Sequence, residues 1–449
     1  MEKIKNWLKQ YVIPPWLMKF IRPYYHGLLA VLAGWYFGRP SQKMVVIGIT
    51  GTAGKSTTAV MLAQILNCAG QKCGYITTVS FFDGQQEFMN KHGLSMPGGF
   101  VLQRQLRRIL DNGCKFAVVE CTSEGLVQNR HLGIEFDTAI LTNLYGAHLE
   151  AHGGFENYKK AKAKLFKAIS NFQFPISKKN PEYQISKTII VNADDPNAEY
   201  FTGFKTDKIV RCGIKNQQAD FIARDIKTTA DGIQFQIHHS SFIIPISGEF
   251  NAFNALLAVA ATESLGVDVA DSAKALVDFK GVPGRMESIA NSLGFKVFVD
   301  YGCEPASLES ALKAVSQMPH QKIIHVFGST GGHRDVSKRF EFGKLSAQYA
   351  DEIIITNDDV YDSDPEEIAV NIELGIKNYV LRHPKYETIL DRRTAIHKAL
   401  SAAGSGDIVL ITGKGSEQFL VLPNDQRIPW DEREVVREEL QRLESGIKS

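Results

Sequence analysis

The stretch Gly48-Ile-Thr-Gly-Thr-Ala-Gly-Lys-Ser-Thr57 combines three glycines with a lysine and hydroxyl side chains. Glycines let backbone N–H groups approach phosphate oxygens, and a following helix adds its positive N-terminal dipole. Lys55 can reach the β- and γ-phosphates of a nucleotide, and the Ser56 hydroxyl can ligate Mg2+. The spacing departs from the usual phosphate loop: Ile49 stands where the first glycine would be, between Gly48 and Gly51. Val119-Glu120-Cys121-Thr122-Ser123 ends an apolar run in an acid. Such an acid can bind Mg2+ directly or through water. Alone it would read as an ordinary strand-end carboxylate, and the phosphate loop raises its interest. His148 and His152 are four apart and invite a zinc reading. A metalloprotease helix has Glu directly after the first His, whereas Glu150 comes two later, and Gly153-Gly154 would break a helix, so zinc is set aside. Tyr158–Phe166 (YKKAKAKLF) has lysines at helical spacing. Composition alone makes it a solvated basic face.

These residues need elements to hold them. Met44–Thr50 (MVVIGIT) is a continuous apolar run ending at glycines, which predicts a buried parallel strand. Ser56–Ala69 has helical spacing, and strand-like runs recur at Gly74–Val79, Phe116–Cys121 and Thr138–Thr142. The alternation predicts a mostly parallel sheet covered by helices. Asp220–Ser247 instead alternates in short segments around Asp231-Gly232, a hairpin signal, and Asn251–Leu265 reads as an Ala-rich helix. Gly281-Val-Pro-Gly284 is a punctuated linker. A second α/β series follows, with strands at Lys296–Asp300, Lys322–Phe327, Glu352–Thr356 and Asp407–Ile411. The expected organisation is a helical segment over 1–43, an ATP-binding domain over 44–281 and a Rossmann-like α/β domain over 282–449.

The 449 residues are 44% hydrophobic and 22% charged, which excludes a disordered chain, a collagen-like fibre and a polytopic membrane protein. The net charge of +2 is too balanced for a chain whose whole surface grips nucleic acid. Residues 1–43 hold seven basic side chains, one acid and three of the four tryptophans, a local +6 that leaves −4 for the rest. The six cysteines form no CxxC pair, which suggests reduced thiols in the cytosol. The apolar run Tyr24–Gly38 has no convincing cleavage site and, at 15 residues, is short of the ~20 that span a bilayer.

Taken in order, GITGTAGKST, VVECTSEGLVQNR, TNLYGAHLEAHGG and YKKAKAKLF resemble the Mur ligase family. VNADDP (191–196), GEFNAFNALLA (248–258), GVPGRME (281–287), VDYGCEP (299–305), FGSTGGHRD (327–335), TNDDVYDSDP (356–365) and TGKGSE (412–417) extend the resemblance to the C-terminal region. Within the family it looks most like the branch that adds the third residue of the peptidoglycan stem peptide. The resemblance implies an ATP-dependent amide ligase working through an acyl phosphate, with UDP-muramyl-peptide and a free amino acid as substrates and two Mg2+ ions. It implies phosphate binding by Gly51, Thr52, Ala53, Gly54, Lys55, Ser56 and Thr57. Asn143, Asn254, Arg285 and Asp300 would complete the ATP site. Ser56 and Glu120 would bind one Mg2+. His148 matches the family histidine at the second, and Lys162 matches a lysine that is carbamylated into a metal-binding carboxylate. Ser95, Met96, Thr122, Ser123, Gln128 and Arg130 would hold the muramyl-peptide. Arg334, Asp358, Gly413 and Glu417 would hold the incoming amino acid.

Several positions depart from the family pattern. Enzymes adding meso-diaminopimelate carry Asp-Asn-Pro-Arg where this chain has Asp358-Asp359-Val360-Tyr361, so the arginine that reads the distal carboxylate is missing. The two acids suit a cationic side chain, such as that of lysine. Cys303, Ser416 and Glu124 each replace a family histidine, and Ala147 an aspartate. Only 43 residues precede the first strand, too few for the family's UDP-binding domain. Tyr24–Gly38 is expected to be either a helical hairpin packed on the ATPase domain or an interfacial membrane helix. That gives a cytoplasmic location, with contact at the inner membrane surface through residues 1–43 as one option. The alternatives are another ligase of the superfamily, folylpolyglutamate synthase-like or acting on a lipid-linked precursor, and a non-catalytic ATP-binding partner subunit.

Overall fold

A computed structural model describes residues 15–90, 96–146, 149–170, 185–229, 232–332, 335–379 and 381–446. The expected hairpin dipeptide at 231–232 and the positions 95, 148 and 334 fall wholly or partly outside these residues. Contacts divide the chain into two units, residues 1–222 with 256–272, and residues 223–255 with 273–449.

The first unit opens with helix α1 (Pro15–Tyr36), one continuous helix through Pro23 that begins well before the apolar run Tyr24–Gly38 and makes no hairpin within it. The strands then follow as β1 (Val45–Thr50), β2 (Cys73–Ile76), β3 (Ser80–Phe82), β4 (Glu87–Met89), β5 (Phe116–Glu120), β6 (Thr138–Leu141), β7 (Thr188–Asn192) and β8 (Lys208–Gly213). Their order in the sheet is β8-β7-β6-β1-β5-β2-β3-β4. The pairings from β8 through β2 are parallel, and β2-β3-β4 closes the edge as an antiparallel meander. Every residue of β1 is buried, as its unbroken apolar run requires. Helix α2 (Lys55–Cys68) follows the phosphate loop, and α3 (Gly99–Asp111), α4 (Ser123–Val127), α5 (Leu149–His152) and α6 (Phe155–Ser170) come later. The core on one side of the sheet runs from Met44 and Val46 through Leu102, Leu106 and Phe136 to Leu165 and Phe166.

Small residues let α1 sit tightly against this body. A Cβ on Gly99 would lie 2.5 Å from Ala30 Cα, and one on Gly34 3.3 Å from the Gly133 carbonyl. Pro23 inside α1 removes one backbone donor, and its own carbonyl accepts from the Asn129 amide at 3.3 Å. No described helix is long and apolar enough to cross a membrane.

In the second unit, β9 (Phe221–Thr229, entering from the first unit), β10 (Gly232–Ile237) and β11 (Ser240–Ile244) form the small antiparallel sheet. Helix α7 (Ala198–Thr202) belongs to the first unit, and α8 (Phe250–Glu263) and α9 (Val269–Leu276) each have residues in both. A six-stranded sheet is built from β12 (Glu287–Ile289), β13 (Lys296–Asp300), β14 (Ile323–Phe327), β15 (Glu352–Ile355), β16 (Lys385–Thr388) and β17 (Ile408–Thr412). Its order is β12-β13-β17-β14-β15-β16, all parallel except β12. Helices α10 (Pro305–Ser316), α11 (Ser337–Tyr349) and α12 (Pro365–Lys377) supply one packed core, and α13 (Arg392–Ala402) and α14 (Glu432–Glu444) help build the other. The fold is α/β with mostly parallel sheets and a small antiparallel one.

Candidate active site

The parallel strands β1, β5 and β6 end together, as such sheets require of a ligand-binding edge. Register sets Ile49 beside Glu120 and Thr50 beside Leu141. The phosphate loop leaves β1 at Gly51, whose φ of +149° and Gly54's +81° are conformations that side-chain-bearing residues rarely adopt. At Gly51 space forbids a Cβ as well, since it would lie 1.8 Å from Thr142 Oγ1.

The segment after β6 fixes the loop. Thr142 Oγ1 donates to the Ala53 carbonyl at 2.6 Å, and the Asn143 amide nitrogen donates there at 3.2 Å. Asn143 Oδ1 accepts from the backbone N–H groups of Thr52 and Ala53 at 3.2 and 2.9 Å. Asp195 accepts from the Leu144 N–H, anchoring this segment in turn. Asn143 thus holds the loop's backbone with its side chain.

Glu120 is buried and well satisfied. It accepts from Ser56 Oγ at 2.6 Å, Thr78 Oγ1 at 2.7 Å and the Thr78 N–H at 2.8 Å. Lys55 Nζ lies 3.9 Å from it and donates to the Thr52 carbonyl at 3.0 Å. Hydroxyl and carboxylate oxygens side by side are the hard donors that Mg2+ prefers, so Ser56 and Glu120 fit that ion. Among the described residues no three of His, Cys, Asp and Glu converge as metal ligands.

Lys162 lies on α6 and is only 2% exposed. Its Nζ donates to the Gly51 carbonyl at 2.7 Å and sits 4.4 Å from the Tyr158 ring centre. Burial first, and Lys55 second, hold its ammonium well below the ordinary lysine range, against the opposing pull of Glu120. A neutral amine is the form that takes up CO2 to become a carbamate. So the basic stretch is solvated at Lys160, while Lys159 is half-buried and paired with Glu156 at 2.8 Å, Lys162 turns inward and Lys164 donates to the Val127 carbonyl and Asn129.

A second group of the expected residues meets at α4. Arg130 donates through Nε and Nη2 to Gln128 Oε1 at 3.1 and 2.7 Å, and through Nη1 to the Met96 carbonyl. Gln128 donates to Glu124 at 2.9 Å. Thr122 Oγ1 accepts from the Gly125 N–H at 3.4 Å, capping α4. Ser123 Oγ is 3.1 Å from His152 Nε2. Ser95 and His148 lie outside the described residues.

In the second unit, Asp300 closes a tight turn. It accepts from the Met286 and Gly302 N–H groups, both at 2.8 Å. Burial raises its carboxyl, and Arg285 works against that. The Arg285 guanidinium stacks 4.1 Å from the Tyr301 ring centre. Asn254 donates to Asn251 at 2.9 Å rather than to either of these. Lys414 is fully buried and 2.8 Å from Asp359, 3.9 Å from Asp358 and ion-paired with Glu417. Glu417 also accepts from Tyr301 Oη at 3.2 Å. A Cβ on Gly413 would meet Asp358 Oδ2 at 2.6 Å. Three carboxylates therefore face one ammonium, and burial pushes Asp359 and Glu417 upward. Burial first, and Glu304 second, push the Cys303 thiol up to about 12. Arg334 lies outside the described residues.

Thr78, Tyr158 and His152 belong to the site and were missed as functional residues. Tyr158 Oη donates to Thr52 Oγ1 at 3.1 Å, and its ring lies 5.3 Å from that of His152. The one sequence signal at these positions is the His148–His152 spacing.

A phosphate loop beside a strand-end acid, on a mostly parallel sheet, defines a nucleotide-using α/β enzyme. Residues 49–262 match the Mur ligase middle domain and residues 284–415 match the Mur ligase, glutamate ligase domain. The UDP-N-acetylmuramoyl-L-alanyl-D-glutamate--2,6-diaminopimelate ligase of Geobacillus kaustophilus (strain HTA426) is 36% identical over 91% of this chain and 81% of its own. The UDP-N-acetylmuramyl-tripeptide synthetase of Roseiflexus sp. (strain RS-1) is 34% identical over 93% and 82%. A solved structure of a UDP-N-acetylmuramoyl-L-alanyl-D-glutamate--2,6-diaminopimelate ligase shares 28% identity and a TM-score of 0.60, covering 89% of this chain and 79% of its own. The chain belongs to the Mur ligase family, and it is an ATP-dependent ligase.

Proposed function

We propose that this ligase adds an amino acid to a UDP-N-acetylmuramyl-peptide in peptidoglycan precursor synthesis. The observation that carries the reading is the Ser56–Glu120 pair under the phosphate loop, 2.6 Å apart, in a chain of this family. A carboxylate is a poor electrophile. Its oxygen therefore attacks the γ-phosphorus of ATP, and the bond to ADP breaks. The amine then attacks the acyl carbon, the C–N bond forms, phosphate leaves with its bonding electrons, and the amine nitrogen loses a proton. Both steps develop negative charge, which positioned cations offset.

Lys55 and the amides of Gly51–Ser56 hold the phosphates. Ser56 and Glu120 would hold one Mg2+, and His148 with carbamylated Lys162 a second; the ions supply charge neutralisation at the transferring phosphoryl group. Asn254, Arg285 and Asp300 complete the nucleotide site. Asn143 acts by shaping the loop. Ser95, Met96, Thr122, Ser123, Gln128 and Arg130 receive the muramyl-peptide. Arg334, Asp358, Gly413 and Glu417, all within 282–449, receive the amino acid.

The carboxylate excess around Lys414 favours an amino acid with a cationic side chain, such as lysine. The relatives named for diaminopimelate make that acid the competing reading, against which stands Tyr361 in place of the family arginine. The enzyme works in the cytoplasm, and its contact with the inner membrane surface is argued below. The test is phosphate release from ATP with UDP-muramyl-dipeptide and an amino acid panel, products read by mass spectrometry. Lysine-dependent release with a lysyl product is expected. Release independent of any amino acid would overturn ligation, and a diaminopimelyl product would overturn the lysine choice alone.

A further inference from the structure

Helix α1 is apolar on two opposite faces, and the fold uses only one. Gly27, Ala30, Ala33 and Gly34 are buried. Tyr24, Leu28, Val31, Leu32, Trp35 and Tyr36 are all exposed, Leu28 at 61%, Trp35 at 66% and Tyr36 at 76%. At 3.6 residues per turn these six fall within an arc of roughly 140° on the side away from the buried glycines and alanines. A surface helix ordinarily places polar residues there. Phe100 extends the patch, its ring 6.1 Å from that of Tyr36, and it too is exposed. A contiguous apolar patch of this kind marks a docking face.

Charge selects the occupant. Arg22, Arg39 and Lys43 flank the stripe, and residues 3–43 contain no acid. The Arg39 guanidinium lies 3.7 Å over the Trp35 ring, at the end of the helix where Trp35 and Tyr36 stand. Aromatic rings beside basic groups suit the headgroup level of a bilayer, and a basic rim suits anionic lipid. Because the glycine and alanine face is held against the protein, lipid can reach the outer face only.

We propose that the outer face of α1 docks the enzyme on an anionic phospholipid bilayer, with the helix lying flat in the interface. The proposal deepens the location given above and rests on that reading, since it holds a ligase of wall precursors at the membrane surface. Its test uses the full chain, sedimented with vesicles of phosphatidylcholine alone or enriched in phosphatidylglycerol. Binding to the enriched vesicles is expected, weakened by salt. Leu28→Glu/Leu32→Glu should bind on the order of tenfold less or weaker still. Arg22→Ser/Lys43→Ser should lose roughly tenfold on anionic vesicles only. All four positions are exposed, so an unchanged unfolding midpoint certifies the variants. Wild-type protein left in the supernatant, or Leu28→Glu/Leu32→Glu binding equally well, overturns the proposal. So does a solution dimer that the same substitutions dissolve without vesicle binding, which gives the face to a second copy. Phosphate release measured without vesicles separates the two readings. Activity with no sedimentation sinks the membrane proposal alone, and sedimentation with no ligation sinks the function alone.

Discussion

Glu120 has two tasks that one substitution separates from each other. It satisfies Ser56, the Thr78 hydroxyl and the Thr78 N–H, and it supplies the charge beside Lys55. Glu120→Gln keeps an acceptor oxygen and loses the charge. Phosphate release should fall by about 10²-fold or more, with a stability change of only about 1 kcal/mol. Glu120→Ala strands those donors and should cost about 2 kcal/mol or more in urea unfolding as well. Lys162 calls for a different test, because its Nζ also steadies the Gly51 carbonyl. Lys162→Ala should abolish turnover, and a short carboxylate such as acetate should restore part of it by standing in for the carbamate. Lys162→Arg keeps a cation for the carbonyl but cannot be carbamylated, so acetate should not rescue it. Equal rescue of both, or of neither, would leave Lys162 as a support for the loop backbone only.

At the scale of elements, the central strands were legible because burial on both faces forces unbroken apolar runs. Met44–Thr50, Phe116–Cys121 and Thr138–Thr142 differ from the observed strands by one residue or none at each end. Gly74–Val79 was less so: β2 ends at Ile76 and β3 begins at Ser80, because Thr77-Thr78 turns the chain without glycine or proline. The edge strand β16 (Lys385–Thr388) was missed, since all four residues are exposed and carry no apolar pattern. The burial of Lys162 left no mark on the sequence, because its helical periodicity looks the same as that of the neighbouring lysines. Thr78 gave no signal at all, its link to Glu120 spanning 42 residues. Arg392 was similarly silent. It begins α13, pairs with Glu432 with both side chains fully buried, and donates to the Asn357 and Thr412 carbonyls at 2.8 Å. It thereby ties the strand ends that carry Asp358 and Lys414. Arg392→Leu should cost about 3–5 kcal/mol, because Glu432 is left buried and unpaired. Arg392→Leu/Glu432→Leu should recover much of that in chemical denaturation, since no lone charge remains.

Across the whole molecule, buried titratable groups make the two units respond differently to acid. In the first unit burial holds His131 down to about 4, and His26 and His152 are lowered as well. An ordinary histidine titrates near 6.5. Below that pH the unfolded chain takes up protons that the folded unit refuses. The stabilising contribution is therefore complete above pH ~6.5 and drains as pH falls towards the folded values, by about 1.4 kcal/mol per pH unit for each fully refused proton. Among the described residues of the second unit one histidine is lowered in the same way, His325, held at about 3 by burial and bonded on both ring nitrogens to Ser346 and Thr412. It also has Asp300, Asp359 and Glu417, all raised by burial. A raised carboxyl has the opposite sign: its folded form takes a proton first, so acidification offsets part of the histidine loss. The first unit should therefore open before the second between pH 6.5 and 4. Hydrogen exchange at pH 7.5 and pH 5, corrected for intrinsic rates, should show protection lost in β1, β5 and β6 ahead of β13, β14 and β17. His131→Leu sharpens the test, because no partner of its Nδ1 is found among the described residues. It should cost little at pH 7.5 and flatten the first unit's acid limb by up to one proton; an unchanged limb would place the acid response elsewhere.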